Sequence, residues 1–521
     1  MNRFIQRTLF LSLVIILIQA CNSDDTGGPD LEVGSTFTQP QILSQTIIQN
    51  PSGFSPLASS LIMSTSIPTR ATIRVVGKNG ASSDVVKEFP GFRTGHNLDI
   101  LGLYGGYNNT IELTLHDESG NDLGTSAINL ETAPLLADLP ANIVINTNKA
   151  AKKEGMTLVS YFGHNGNQNP QRPFIFDEFG DIRWYLTFET SNVLNNLFYD
   201  NGIERLANGN WYFGDRSSGR IYEVNMLGET IDTWDFPGYS FHHQVLEKPN
   251  GNFIVTVNKN GLSTVEDHII EIDRRTKQIV NEWDFRQSLE QTRFAMTQDQ
   301  VDWFHINAVE YDGSDNTIIV SGRTQGLVKV NDQNEVVWIM APHEDWGTAG
   351  NGVDLNTKLL TPLNSAGQTI TNQSILDGFT NDPSFEWNWY QHAPQVLPNG
   401  DIMLFDNGDN RNFSGTGSYS RAVQYKVDQT NMTIQQIWQY GKERGRPTYS
   451  RIVSDIDYDP MTNHVFFSPG AVINNGNYGK VVELNYSTKE VLFEATIFPP
   501  IAVFNITFHR TERLSLYPPD N

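Results

Sequence analysis

Cysteine is almost absent from this 521-residue chain, which has one, Cys21. A single thiol cannot form an intrachain disulfide, and one sulfur cannot build a Cys-ligated zinc or iron–sulfur centre. Basic residues are also scarce: 36 Lys and Arg stand against 59 Asp and Glu, a formal charge of −23. That balance argues against nucleic acid and anionic lipid surfaces as general partners, since both are bound through positive surface. After the first 20 residues there is no long apolar run. No phosphate-cradling glycine loop or dinucleotide fingerprint occurs either, so no nucleotide cofactor has a recognisable site.

What is present begins with a targeting signal. Arg3 and Arg7 precede an apolar stretch, Leu9–Ile18, broken only by Ser12 and followed by Gln19, Ala20 and Cys21. Ten residues are too few to span a bilayer, so the segment reads as an export signal over residues 1–20. Ile18, Gln19 and Ala20 resemble a lipobox, which makes Cys21 the expected lipidation site and residues 21–35 a polar tether. The chain is therefore expected to be an exported lipoprotein at the outer membrane, on its periplasmic or cell-surface face. Lipid would be its only membrane contact.

The remainder reads as all-β. Over residues 36–135, short alternating segments such as Ala71–Val76 and Asn109–Leu115 are separated by turns at Asn79-Gly80 and Ser119-Gly120, the pattern of a small β-sandwich. Over residues 150–515 hairpins recur with Asn-Gly at the turn: Leu206–Phe213, Leu246–Val255 and Leu397–Leu404. Each is followed by a strand pair ending in an aromatic, giving the series Trp184, Trp234, Trp283, Trp338, Trp438 and Phe493. The steps are 50, 49, 55, 100 and 55 residues, the doubled one holding an insertion over roughly His343–Phe385. Six four-stranded units of this length predict a six-bladed β-propeller, with the insertion overhanging the channel mouth.

Aligning the hairpins on their turns brings out a second regularity. His243, His305 and His392 each lie seven residues before the turn residue Asn250, Asp312 or Asn399. Equivalent places on inner strands aim three imidazoles at one axis, from the end of each hairpin away from its turn. Arg323 falls at the matching end of the middle hairpin, and Asn307 shares a strand face with His305 by alternation. Ser454 takes the place of Asn307 in the last repeat. The expected site is thus His243, His305, His392, Arg323 and Asn307, with Ser454 as a substrate contact. His242 is expected to point to the opposite face, as packing. Three imidazoles could bind zinc, but a fixed guanidinium in the same cavity disfavours a dication and suits a tetrahedral oxyanion. No metal and no cofactor is expected.

These residues carry a resemblance. Phe241–His243, Asp302–Asn307, Ser321–Arg323 and Gln391-His392 followed by Asn399-Gly400 are together similar to the bacterial arylsulfate sulfotransferases. The likeness runs over about residues 36–515. It implies a β-sandwich on a six-bladed propeller and a reaction that moves a sulfuryl group from a phenolic sulfate ester to a phenol through a sulfohistidine. It puts the nucleophile on His392 and the other family residues on His243, His305, Asn307 and Arg323. In that chemistry His305 would be the general acid and base. The partners would be a small aryl sulfate and a phenolic acceptor. A non-catalytic propeller that binds sulfated aromatics or glycans, and a hydrolase, metal-dependent or of sulfatase type, using the three histidines, are the alternatives.

Overall fold

A computed structural model describes residues 41–164, 171–198, 202–415, 417–503 and 505–518. The leader, Cys21 and the tether lie outside the described residues. The N-terminal region forms one five-stranded antiparallel sheet. Two long strands, Ser59–Val75 and Val85–Ile100, pair along most of their length, with a register break around Ser66–Pro68. Before the break, Ser59–Thr65 takes Ile42–Gln49 on its other edge; after it, Arg70–Val75 takes Asn108–His116. In the domain expected over 36–135 the two long strands thus run through both halves, each half with its own neighbours. A proline at 68 supplies no ladder N–H, which suits the break. Alternate residues (Leu61, Met63, Ile73, Val75, Ile111 and Leu113) fill one core.

Beyond it, six sheets follow among the described residues, each built on four antiparallel strands. Their first strands are Glu204–Arg205, Tyr239–Glu247, Ile306–Asp312, His392–Val396 and Asp455–Asp459 in chain order, and Asn505–Leu514 for the sheet that starts at Met156–His164. These six strands bond to one another in turn. Gln244 Nε2 reaches Glu204 at 3.3 Å, Gln244 Oε1 accepts from Val309 N at 2.9 Å, and Glu310 accepts from Val396 N at 3.2 Å. Gln395 Oε1 then accepts from Tyr458 N at 2.8 Å, Thr511 N donates to Asp455 at 2.9 Å, and Arg510 pairs with Glu204 at 3.2 Å. The last link returns to the first strand, which is the topology of a propeller.

Two closures bind the ends of the chain. Asn142–Asn148 adds to Val491–Phe498 as an outer strand, and Asn505–Leu514 adds to Met156–His164 as an inner one. The arrangement therefore starts at Asn142, earlier than the expected 150. The short alternating edge strand was too close to the preceding domain to be told from a linker. All six aromatics of the periodic series lie on the fourth strands. Four of them staple one sheet to the next. Trp184, Trp234, Trp283 and Trp438 donate their indole N–H to the carbonyls of Met226, Arg274, Asn331 and Tyr486, at 2.8 to 3.0 Å.

The insertion docks on sheet edges and also reaches the loop that follows Asn407, where Asn412 bonds to Gly378 and Asn381. Its Thr361–Leu363 strand runs parallel to Thr433–Gln435 on the outer edge of a sheet, and Leu359 bridges to Ile339 on the one before. Leu360, Ile370, Ile375 and Phe385 pack with Trp338, Trp387 and Trp389. Trp346, Leu355 and Leu359 pack into the core of the preceding sheet, so the segment seals two sheet edges with anchors on both sides.

Candidate functional site

The inner strands open on a repeated irregularity. Antiparallel register slips between Phe241 and Val245, Ile306 and Ala308, and His392 and Gln395. His243, His305 and Ala393 take left-handed φ of +58°, +52° and +47° at these places. A bulge at each strand mouth re-aims the side chains beside it. It is also why His242 does not obey alternation. Both His242 and His243 reach Glu266, His242 by a short Nε2 contact and His243 at 3.4 Å. The expectation that His242 faces away is corrected by this geometry.

His243 and His305 lie with ring centroids 5.2 Å apart. His305 Nδ1 sits 2.5 Å from Asp302 and 3.1 Å from Glu266. Both partners are acceptors, so Nδ1 carries the hydrogen and Nε2 is left for proton transfer. Arg323 is joined to the same place by backbone: its N–H donates to the His305 carbonyl at 2.9 Å. The glycine before it is required. A Cβ on Gly322 would stand 2.0 Å from the ring of Phe304, the residue before His305. Arg323 Nε is buried without a hydrogen-bond partner, and its guanidinium lies 5.1 Å from the Tyr390 ring. Burial, and then the neighbouring Arg451 charge, lower its pKa. A half-buried guanidinium with a sheltered, unpaired Nε is a site for an anion.

His392 is buried, and burial followed by the Arg323 charge drives its pKa well below the ordinary histidine value, with smaller contributions of the same sign from His509 and His243. It is therefore a neutral imidazole at neutral pH. Its Nδ1 lies 2.8 Å from Asn407 Oδ1. Gln391, the residue before it, holds the two sheets together. Its carbonyl accepts from Asn307 Nδ2 at 2.8 Å and Ser321 Oγ at 3.1 Å, and its amide donates to Ser321 and Gly322. Asn307 thus spends one hydrogen on this clamp, while its Oδ1 is buried with no partner. Ser454 is placed differently from the rest. Its hydroxyl donates to Ser450 Oγ at 2.9 Å and accepts from Gly470 N at 3.0 Å, so it is occupied by the loop that starts its strand.

Sequence reasoning missed Glu266, Asp302, Asn407 and His509. Asp302 stands inside the Asp302–Asn307 motif and was within reach. Glu266 and Asn407 sit in loops after second strands, where no periodicity marks them. His509 is on the late-added inner strand, outside the hairpin alignment. The unselected histidines have structural partners: His96 on Thr69, His268 on Asp267, His343 on the Leu360 carbonyl and His464 on Glu483. Two described groups are spaced to hold a cation: His242, His243 and Glu266, and Glu266, Asp302 and His305, each with ligand atoms within 4.8 Å. Nitrogen and carboxylate donors of this kind fit zinc or a similar divalent ion.

Comparison with known proteins agrees with the motifs. The family model described as Arylsulfotransferase (ASST) matches residues 142–500, and the model for the Arylsulfotransferase Ig-like domain matches residues 46–133. Arylsulfate sulfotransferase AssT of Escherichia coli O6:H1 is 30% identical over 382 residues, and the protein of the same name from Lelliottia amnigena is 28% identical over 387. Each match covers 62% of this chain and 62% of the relative, so the chain spans under two thirds of the length of these curated relatives. Among solved structures, a protein of unknown function from Bacteroides caccae aligns at 12% identity and a TM-score of 0.39, over 68% of this chain and 100% of that one. With family models matching both the N-terminal domain and the sheets that carry the histidines, the chain belongs to the arylsulfotransferase (ASST) family.

Proposed function

We propose that this protein transfers a sulfuryl group from an aryl sulfate to a phenolic acceptor by a ping-pong mechanism, through a sulfohistidine on His392. The observation that carries the reading is a buried His392 whose Nδ1 is held by Asn407 Oδ1 at 2.8 Å, with burial and the Arg323 charge favouring its neutral form. A neutral imidazole is a nucleophile, and a half-buried cation near it is what a sulfuryl group losing its bridging oxygen needs. His392 attacks sulfur, the bond from sulfur to the phenolic oxygen breaks, and the phenolate takes the Nε2 proton of His305, which enters this half as imidazolium and leaves it as the neutral Nδ1–H ring. In the second half His305 removes the proton of the acceptor phenol, whose oxygen attacks the sulfur and releases His392. Arg323, His243 and the remaining Asn307 hydrogen hold the sulfuryl oxygens. Splitting the transfer in two avoids ordering two aromatics in line at once. We read the six sheets as six blades around this site, and the leader with Cys21 as anchoring an exported lipoprotein.

The test is nitrophenolate release from para-nitrophenyl sulfate by the purified protein in EDTA, with and without phenol. Release that rises with phenol, together with label from sulfur-labelled donor retained on the protein and lost in His392→Gln, is the expected result. A second reading is favoured by the two His and carboxylate groups: a metal-dependent hydrolase. It predicts release that EDTA abolishes and that phenol does not alter.

A further inference from the structure

Asn407 directly follows the strand Ile402–Asp406 and is fully buried. Its amide nitrogen donates to two backbone carbonyls, Ser450 at 2.8 Å and Val453 at 3.0 Å. Carbonyls cannot donate in return, so the amide has one possible orientation: nitrogen toward the Ser450–Val453 loop, oxygen toward His392. Its own backbone carbonyl is held at 2.8 Å by Ser420 Oγ, and that hydroxyl also accepts from Ser450 N at 2.9 Å. The residue is thus fixed at both ends. An amide oxygen only accepts, so the hydrogen in the 2.8 Å contact belongs to His392 Nδ1. A neutral imidazole has one ring hydrogen, and the lone pair is left on Nε2.

We propose that Asn407 is a positioning residue that holds His392 in the Nδ1–H tautomer, so that Nε2 is the atom that takes the sulfuryl group. This rests on the reading of His392 as nucleophile. When Nε2 bonds to sulfur, the pair of the sulfur–oxygen bond leaves with the phenolate, the ring gains a formal positive charge, and the sulfo group keeps its negative one. Nδ1–H becomes a stronger donor at that moment, and the bond to Asn407 tightens in the intermediate more than in the resting enzyme. The opposite tautomer would set the Nδ1 lone pair against Oδ1 and leave Nε2–H facing the substrate, blocking attack.

The test begins with the wild-type protein carrying nitrogen-labelled histidine, His392 being assigned by the signal lost in His392→Gln. The expected spectrum has His392 neutral at pH 7, protonated on Nδ1 and bare on Nε2. A bare Nδ1 or a mixture of tautomers overturns the proposal, whatever the activity. Asn407→Ala is then expected to mix the tautomers and lower turnover by about 10–100-fold with the donor KM little changed. Unchanged tautomer and turnover in that variant also overturns it. Should Asn407→Ala not fold, the wild-type spectrum decides alone. Failure of sulfur labelling with the Nδ1–H tautomer intact would instead count against the sulfohistidine.

Discussion

His305 is oriented by Asp302 and Glu266 through Nδ1, and in the proposed mechanism that leaves one atom, Nε2, for the leaving phenolate. The demand for proton donation depends on the phenol that departs. A nitrophenolate leaves without help, whereas unsubstituted phenolate is a much stronger base. His305→Gln is accordingly expected to slow transfer from phenyl sulfate by about 10²-fold or more, and from para-nitrophenyl sulfate by clearly less. Steady-state rates with the two donors check this; an equal loss with both would assign His305 to holding the sulfuryl oxygens. A related expectation concerns pH. Because burial and Arg323 depress the His392 pKa, the acid limb of the first half-reaction falls below the normal histidine range and moves up when Arg323 is replaced by Gln.

Strands and their edges explain how that residue-scale geometry is kept. The four tryptophan staples join the outer strand of one sheet to a turn of the next, where few other backbone bonds cross. Trp283→Phe removes the N–H donated to Asn331 and part of a buried ring, so a loss of about 1–3 kcal/mol is expected in chemical denaturation. Equal stability would mean that packing alone joins the sheets. This level was the most legible in the sequence. The aromatic period and the Asn-Gly turns are local signals, and they located the fourth strands and the hairpins that carry His243, His305, Arg323 and His392. Alternation failed where the backbone bulges, as at His242. It could not report Asn307 bonding to Gln391, because that contact joins residues 84 apart in the chain. Nor could any period reveal the insertion's docking on two sheet edges, which depends on surfaces contributed by distant strands.

At the scale of the molecule, the N-terminal domain and the first sheet share a core and a buried seam, where Arg183 donates to the Gly102 and Ser83 carbonyls and pairs with Asp177 at 2.9 Å. The inner strands also line a cavity of about 260 Å³, with Glu204, Glu310, Asp455, Asp457, Glu512 and Arg510 among its walls. Five carboxylates outnumber the cations there. Burial pushes the pKa of Glu310 and Glu512 up to about 7, and that of Asp455 to about 6. A carboxyl whose pKa is raised by folding stabilises the native state below its unfolded pKa, and that stability is lost as pH rises through the folded value. His392 has the opposite sign, since its depressed pKa weakens the fold as pH drops below the ordinary histidine value; above about 6.5 it is neutral in both states and contributes no slope. Between pH 6.5 and 8 the carboxylates therefore set the trend, and the melting temperature should fall. Glu310→Gln keeps an oxygen for the Val396 N–H and removes the charge, so it should stabilise the protein at pH 8 by about 1–2 kcal/mol and flatten the profile. Melting curves of the two proteins at pH 6.5 and 8 are the measurement. A Glu310→Gln protein that melts lower at pH 8 would mean that the Glu310 charge is balanced in the folded molecule, with Arg510 the nearest candidate for that compensation.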